Sequence, residues 1–270
     1  MIERELYMKR IRPFIGNELI KVLTGIRRSG KSVMLELIKQ ELIKQGIDEQ
    51  QFISFNFEQM RNTPFCTAET LYKEITNRAK DQKGKIIFFF DEIQEVTHWE
   101  KCINSLRLDY DCDIYITGSN AKLLSGELAT YLAGRYVEFV IYPFSFQEYL
   151  DMRKTSTTNL NISQEFQQYI RLGGMPFLQN LQGIEDASMQ YLKDVYNSVV
   201  LKDIIQRNNI REVDMLERII TYVMANIGRV FSASSIVKYF KNENRPLLTY
   251  SSLTPLTKPN PIGVAALTTT

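Results

Sequence analysis

The sequence predicts an α/β fold: a five-stranded parallel sheet flanked by helices, followed by a smaller helical region. Three observations predict it. Five short runs rich in Ile, Val, Phe and Tyr recur before Pro143. Helix-length amphipathic stretches separate them, which is the spacing of βαβ units. One run, Ile86–Phe90 (IIFFF), is apolar at every position, as suits a central strand covered on both faces.

In chain order, the strand-like runs are Leu19–Thr24, Phe52–Phe57, Lys85–Phe90, Asp113–Thr117 and Tyr136–Ile141. The helical stretches between them are Lys31–Gln45, stopped by Gly46; Ala68–Lys80, stopped near Gly84; His98–Asp109; and Ala121–Ala133. Residues 1–143 are therefore read as one α/β domain. Beyond Pro143 the pattern becomes helical, and residues 144–211 form a helical region. Phe144–Met152 is a short helix, followed by the polar link Lys154–Asn161. Ile162–Leu172 ends at Gly173-Gly174 with Pro176 beyond, a glycine-then-proline stop. Glu185–Arg207 carries an apolar stripe of Leu192, Val195, Tyr196, Val199 and Val200. Val213–Ala225 and Ser232–Phe240 form a last helix pair within residues 212–245. Residues 246–270 hold four of the eight prolines, six threonines and one charge, Lys258, and are read as a disordered tail.

Composition narrows the function classes. With 44% hydrophobic and 24% charged residues the chain is an ordinary folded one. Lys plus Arg number 33 against 31 Asp plus Glu, so no global charge argues for nucleic acid or an anionic membrane. Cys66, Cys102 and Cys112 form no C-x-x-C pair, and His98 is the single histidine, which argues against a zinc site and a disulfide framework. The charged start Met1–Arg12 is no signal peptide, and no run is long enough to span a bilayer. A reducing, cytoplasmic setting with no membrane partner is expected.

Gly25-Ile26-Arg27-Arg28-Ser29-Gly30-Lys31-Ser32 fits G-x-x-x-x-G-K-[ST] in full. It follows one strand run and opens a helix, the context in which that pattern binds phosphate. Its glycines let backbone N–H groups turn inward, where the helix N-terminus adds partial positive charge. Lys31 then reaches the β- and γ-phosphates, and the Ser32 hydroxyl is a hard ligand for Mg²⁺. An ordinary strand-to-helix turn is the bland alternative. Arg27 and Arg28 are within reach of the phosphates and belong to the nucleotide-binding loop, although variable loop positions usually face solvent.

Lys85–Phe90 runs into Asp91-Glu92. A parallel strand delivers its C-terminal residues to the sheet edge that carries the loop. Asp91 is placed to hold Mg²⁺, through water, and Glu92 to polarise an attacking water. Alone, two acids after an apolar run are most often a solvated strand end. The upstream loop is what gives them weight.

With these residues in place, the chain resembles the AAA+ branch of the P-loop ATPases. More narrowly it is similar to a group of prokaryotic AAA+-type ATPases whose C-terminal half is a domain of unknown function. The carrying segments are GIRRSGKS, FFFDEIQEV followed by HW, IYITGSN, LAGRYVEFVIYPFSFQEYL, LGGMP and YLKDVYNSVVLKDI, across most of Ile20–Asp203. The resemblance implies ATP rather than GTP, with Mg²⁺, and hydrolysis coupled to a conformational change on an unknown partner. It implies a polar residue sensing the γ-phosphate at Ser119, or next at Asn120; the same residues also read as a turn capping the following helix. It places an arginine finger at Arg135, supplied to a neighbouring copy in a homo-oligomer. The alternative there is a surface arginine paired with an acid such as Glu138. Trp99 and His98 are expected to start a helix and pack under the sheet. Gly173-Gly174-Met175-Pro176 matches a family signature, though a helix stop explains it without chemistry.

The relatives implied by the resemblance continue through a winged-helix-like segment into a further domain. Val213–Phe240 supplies two helices of such a segment, and the third, which would read DNA, should begin near Arg245. The change of character there predicts a chain cut short or frame-shifted, and argues against DNA binding. A nucleotide-gated regulatory module with negligible turnover, in which ATP and ADP occupancy switches partner or DNA contacts, is the competing function. Glu92 favours hydrolysis, because a pure binder has no need of it.

Overall fold

The computed structural model describes residues 2–118, 132–155, 159–198, 205, 213–228 and 232–242. Its described contacts divide into two compact units, Met1–Leu192 and Lys193–Thr270. The first unit thus takes in residues 144–192 along with the α/β part.

In the first unit, a short helix α1 (Glu5–Ile11) precedes β1 (Ile20–Thr24), α2 (Lys31–Lys44), β2 (Phe52–Asn56), α3 (Ala68–Ala79), β3 (Ile86–Asp91), α4 (Trp99–Asp109), β4 (Cys112–Thr117) and β5 (Tyr136–Val140). The five strands form one parallel sheet in the order β2-β3-β4-β1-β5. Each expected strand is present, with ends shifted by at most one residue at either side. The expected helix Ala121–Ala133 lies outside the described residues up to 131, together with Ser119 and Asn120.

The period-2 alternation of β3 explains why the sheet needs helices on both faces. Phe88 and Phe90 point to a cluster with Leu71 and Ile75 of α3 and Cys102, Ile103 and Leu106 of α4. Ile87 and Phe89 point the other way, to Met8 and Ile11 of α1 and Met34, Leu35 and Ile38 of α2. Trp99 joins the first cluster, whereas His98, the residue preceding α4, has a left-handed backbone (φ 57°) and an exposed side chain. His98 therefore does not pack under the sheet, because the turn that starts the helix swings it outward.

Further along come α5 (Phe146–Lys154), α6 (Ile162–Leu172) and α7 (Glu185–Val195). A capping box of Ser145 and Glu148 starts α5, and the Asn161 side chain caps α6. Helix α6 stops at Gly173, as the glycine-proline signal requires. Gly174 does more than stop a helix: a Cβ there would stand 2.0 Å from the Phe144 carbonyl oxygen, and its own carbonyl accepts from Phe144 N–H at 2.7 Å. The second unit holds α8 (Val213–Ala225) and α9 (Ala233–Asn242), which bury Ile219, Ile236 and Phe240 together. The expected third helix and the tail from residue 246 lie outside the described residues.

The cysteines are free thiols. Burial pushes Cys102 up to about 12 and Cys112 to about 11, and raises Cys66. Iodoacetamide at pH 8 is therefore expected to leave Cys102 and Cys112 unlabelled in the folded protein while all three label in urea. Peptide mass spectrometry reads the outcome, and rapid native labelling of Cys102 would contradict the packing of α4 on the sheet.

Candidate functional site: a phosphate loop and an acidic pair at one sheet edge

The loop between β1 and α2 leaves the strand at Gly25, whose φ is +140°. A Cβ there would lie 2.2 Å from the Ile141 carbonyl oxygen, so only glycine lets the chain turn so close to the end of β5. Ile26, Arg27 and Arg28 are exposed and Ser29 is fully buried. Lys31, the first residue of α2, is only 4% exposed. Its Nζ donates to the Gly25 and Ile26 carbonyls at 3.4 Å each and stands 3.5 Å from Glu92 Oε1. The expected cation and the expected base thus face each other across the loop.

Asp91 ends β3 and Glu92 follows it with a left-handed backbone (φ 55°). Both are buried. Asp91 Oδ2 accepts from Asn56 Nδ2 at 2.9 Å, and Asp91 Oδ1 accepts from the Thr117 hydroxyl. The same Thr117 Oγ1 accepts from the Glu92 backbone N–H at 3.0 Å. Because β4 lies between β1 and β3, its last residue stands between the loop and the acidic pair. Thr117 thereby holds Asp91 by its carboxylate and Glu92 by its backbone, the latter in a conformation that costs a non-glycine residue about 1 kcal/mol or more. Nothing local in the sequence marks Thr117 for this; only strand order does. Gln94 Nε2 donates to Glu92 Oε2 at 2.5 Å, which leaves Oε1 toward Lys31.

A cavity of about 780 Å³ opens over the loop. Arg27, Arg28, Gly30, Lys31, Ser32 and Glu92 line one side, and Ile2, Phe144, Met152, Pro176 and Phe177 give it an apolar wall. Arg4, Val33, Glu58, Asn180 and Tyr191 complete it, and Tyr191 opens the YLKDVYNSVVLKDI segment. The Arg28 guanidinium lies 5.6 Å from the ring centroid of Tyr191, so it is not simply solvated.

Arg135 stands elsewhere. The parallel register pairs Ile20 with Tyr136, so Arg135 precedes β5 at the edge where β1 begins. One strand of five residues, about 16 Å at about 3.3 Å per residue, separates that edge from the loop. It is exposed and donates to Asn104 Oδ1 at 2.8 Å rather than to Glu138, which instead accepts from the Thr24 hydroxyl. The sheet places Arg135 away from the cavity of its own chain.

Residues 17–150 match the family model described as an AAA domain. The chain carries an AAA domain. Residues 163–252 match a second family, a domain of unknown function, so the match runs past Arg245 into the proline- and threonine-rich stretch. An uncharacterized protein of Haemophilus influenzae is 36% identical over 246 residues, covering 91% of this chain and 61% of its own length. One from Methanocaldococcus jannaschii is 30% identical over 253 residues, covering 90% of this chain and 54% of its own. The chain therefore spans about half to three-fifths of the length of these relatives. Among solved structures, the Aeropyrum pernix Orc1 protein in complex with DNA is similar at 12% identity and TM-score 0.43, over 94% of this chain and 80% of that one. Caenorhabditis elegans PCH-2 is similar at 20% identity and TM-score 0.36, over 57% and 42%. The family match supports a nucleotide-binding, ATPase-like role for residues 17–150, and no described helix is long and apolar enough to cross a membrane.

Proposed function

We propose that the AAA domain binds MgATP on its phosphate loop and hydrolyses it, using the energy to change its conformation against a partner. The observation that carries this reading is the 3.5 Å approach of Lys31 Nζ to Glu92 Oε1, both on the wall of one cavity, with the buried Asp91 next in sequence to Glu92. A cation for the β- and γ-phosphates and a carboxylate for water are brought together from β1 and β3. The apolar wall of Ile2, Phe144, Met152 and Phe177 suits a nucleobase.

The donor set fits a hard divalent cation that keeps most of its waters: the Ser32 hydroxyl, exposed on the cavity wall, and the Asp91 carboxylate. Mg²⁺ bound there would neutralise charge on the phosphates. Asp91 already accepts two hydrogen bonds, so it would hold the metal through water. Lys31 binds phosphate oxygens after leaving Glu92. Glu92, freed of its ion pair, accepts a hydrogen bond from the attacking water and orients it. Ser119, or Asn120, senses the γ-phosphate beyond Thr117, and Arg135 acts on the site of a neighbouring copy in a homo-oligomer. Three free thiols support a reducing, cytoplasmic setting.

Glu92→Gln separates binding from turnover. The amide keeps the shape and the bond to Gln94 but loses the anionic oxygen, so phosphate release should fall by about 10²–10⁴. Affinity for ATP should stay within a few-fold of wild type or rise, because Lys31 no longer has to leave an ion pair. Retained turnover in a folded Glu92→Gln protein would place the base elsewhere. Tight ATP binding without turnover in the wild type would instead mark a nucleotide-gated module.

A further inference from the structure

Arg4 lies far in sequence from every motif, yet its side chain is 1% exposed and borders the phosphate loop. Four hydrogen bonds and two ring contacts hold it. Nε donates to Glu148 Oε1 at 2.8 Å and Nη2 to Glu148 Oε2 at 3.4 Å. Nη2 also donates to the Tyr142 carbonyl at 2.8 Å, and Nη1 to the Ser29 carbonyl at 3.0 Å. The guanidinium is sandwiched near the rings of Tyr7 and Phe144, at 4.6 and 5.2 Å. The backbone of Arg4 is itself left-handed (φ 46°), a conformation that costs free energy and aims the side chain into the loop.

We infer that Arg4 is a positioning residue for nucleotide binding: its hydrogen bond to the Ser29 carbonyl fixes the Ser29–Gly30 peptide and so pre-forms the anion cradle. This rests on the reading of the loop as the phosphate site. The peptide is trans, since the described chain holds no cis bond. In a trans peptide the C=O and the following N–H point in opposite directions. Anchoring the Ser29 oxygen on the guanidinium therefore turns the Gly30 N–H to the opposite side of the loop. An anchored loop loses less conformational freedom on binding than a free one, which is the general source of affinity from preorganisation.

Glu148 makes the anchor specific. It also accepts from Ser145 N–H at 2.9 Å as part of the cap of α5. The phosphate loop, the N-terminal segment and the start of α5 are thus joined through one guanidinium. A lysine cannot reproduce this, because an ammonium on a single stem lacks the planar fork that reaches three acceptors in different directions.

Two variants test the assignment, with MgATP affinity by calorimetry and thermal unfolding as readouts. R4M/E148L removes both charges and keeps apolar volume, which avoids leaving one partner buried and unpaired. R4K keeps the charge pair. If Arg4 positions the loop, both should fold and bind MgATP at least tenfold more weakly than wild type. Wild-type affinity in either folded variant would overturn the assignment. So would near-wild-type affinity in R4K with loss only in the double variant, because that pattern means a point charge acting on phosphate. Failure of both to fold would make Arg4 a packing residue and end the proposal. A wild type that bound no MgATP would contradict the reading of the loop itself, and with it the cradle.

Discussion

Replacing Lys31 by alanine is expected to weaken MgATP binding by about 10²–10⁴ without unfolding the protein. The lysine stands at the start of α2 with its amine on loop carbonyls and Glu92, and no core packing depends on it. A charge-assisted hydrogen bond is worth about 1.5–3 kcal/mol, and two phosphate groups share the ammonium. The lost interaction is then about 3–6 kcal/mol, which is about 10²–10⁴ in affinity at about 1.4 kcal/mol per decade. The substitution also strips Glu92 of the cation that faces it at 3.5 Å, so part of the cost is paid in the free protein. That part lowers stability a little and opposes the loss of affinity, which is why the lower half of the range is expected. Calorimetric titration of MgATP into the folded Lys31→Ala protein checks it. An affinity equal to wild type would remove Lys31 from the site.

The Arg135→Ala protein should bind MgATP normally and turn it over about 10³–10⁵ more slowly, provided copies of the chain associate. An arginine that stabilises charge on the transferring phosphoryl group has an effect of that size in other nucleotide hydrolases. It corresponds to about 4–7 kcal/mol of transition-state stabilisation. A surface side chain bonded to Asn104 would contribute about 0–1 kcal/mol and leave the rate unchanged. The two readings therefore differ by orders of magnitude. The fold narrows the geometry: Arg135 sits where β5 begins, a full strand from the loop that follows β1. The proposed action on phosphates is therefore one in another copy. Mixing Arg135→Ala with Lys31→Ala should accordingly restore some turnover, since a mixed interface pairs an intact loop with an intact arginine. Full turnover by folded Arg135→Ala under conditions where the wild type is associated and active would end the finger assignment.

Much of the fold was legible because its determinants are local. IIFFF declares a doubly covered strand, and the structure buries every residue of Ile86–Asp91. The glycine-lysine-serine loop declares itself because its chemistry is contiguous, and the acidic pair follows from the strand before it. What was not legible depends on which strands become neighbours. Thr117 looks like any threonine ending a strand; it holds Asp91 and Glu92 only because β4 inserts between β1 and β3. Arg4 reads as one charge in a charged N-terminus, and its role needs Ser29, Tyr142 and Glu148 to meet around it. Tyr191 opens the YLKDVYNSVVLKDI segment of the resemblance, yet no local pattern announces that it meets the loop's Arg28. Gly174 was read as a stop signal, whereas the close approach to the Phe144 carbonyl is a tertiary contact no local pattern announces.

Phosphate release from MgATP by the unmodified chain, followed across protein concentration, tests the central claim most directly. If the loop, Asp91 and Glu92 form a hydrolytic site completed by Arg135 of a neighbouring copy, release should require Mg²⁺ and the rate per chain should climb with concentration. Release no faster than from buffer, in a protein shown to be saturated with MgATP and associated, would contradict it.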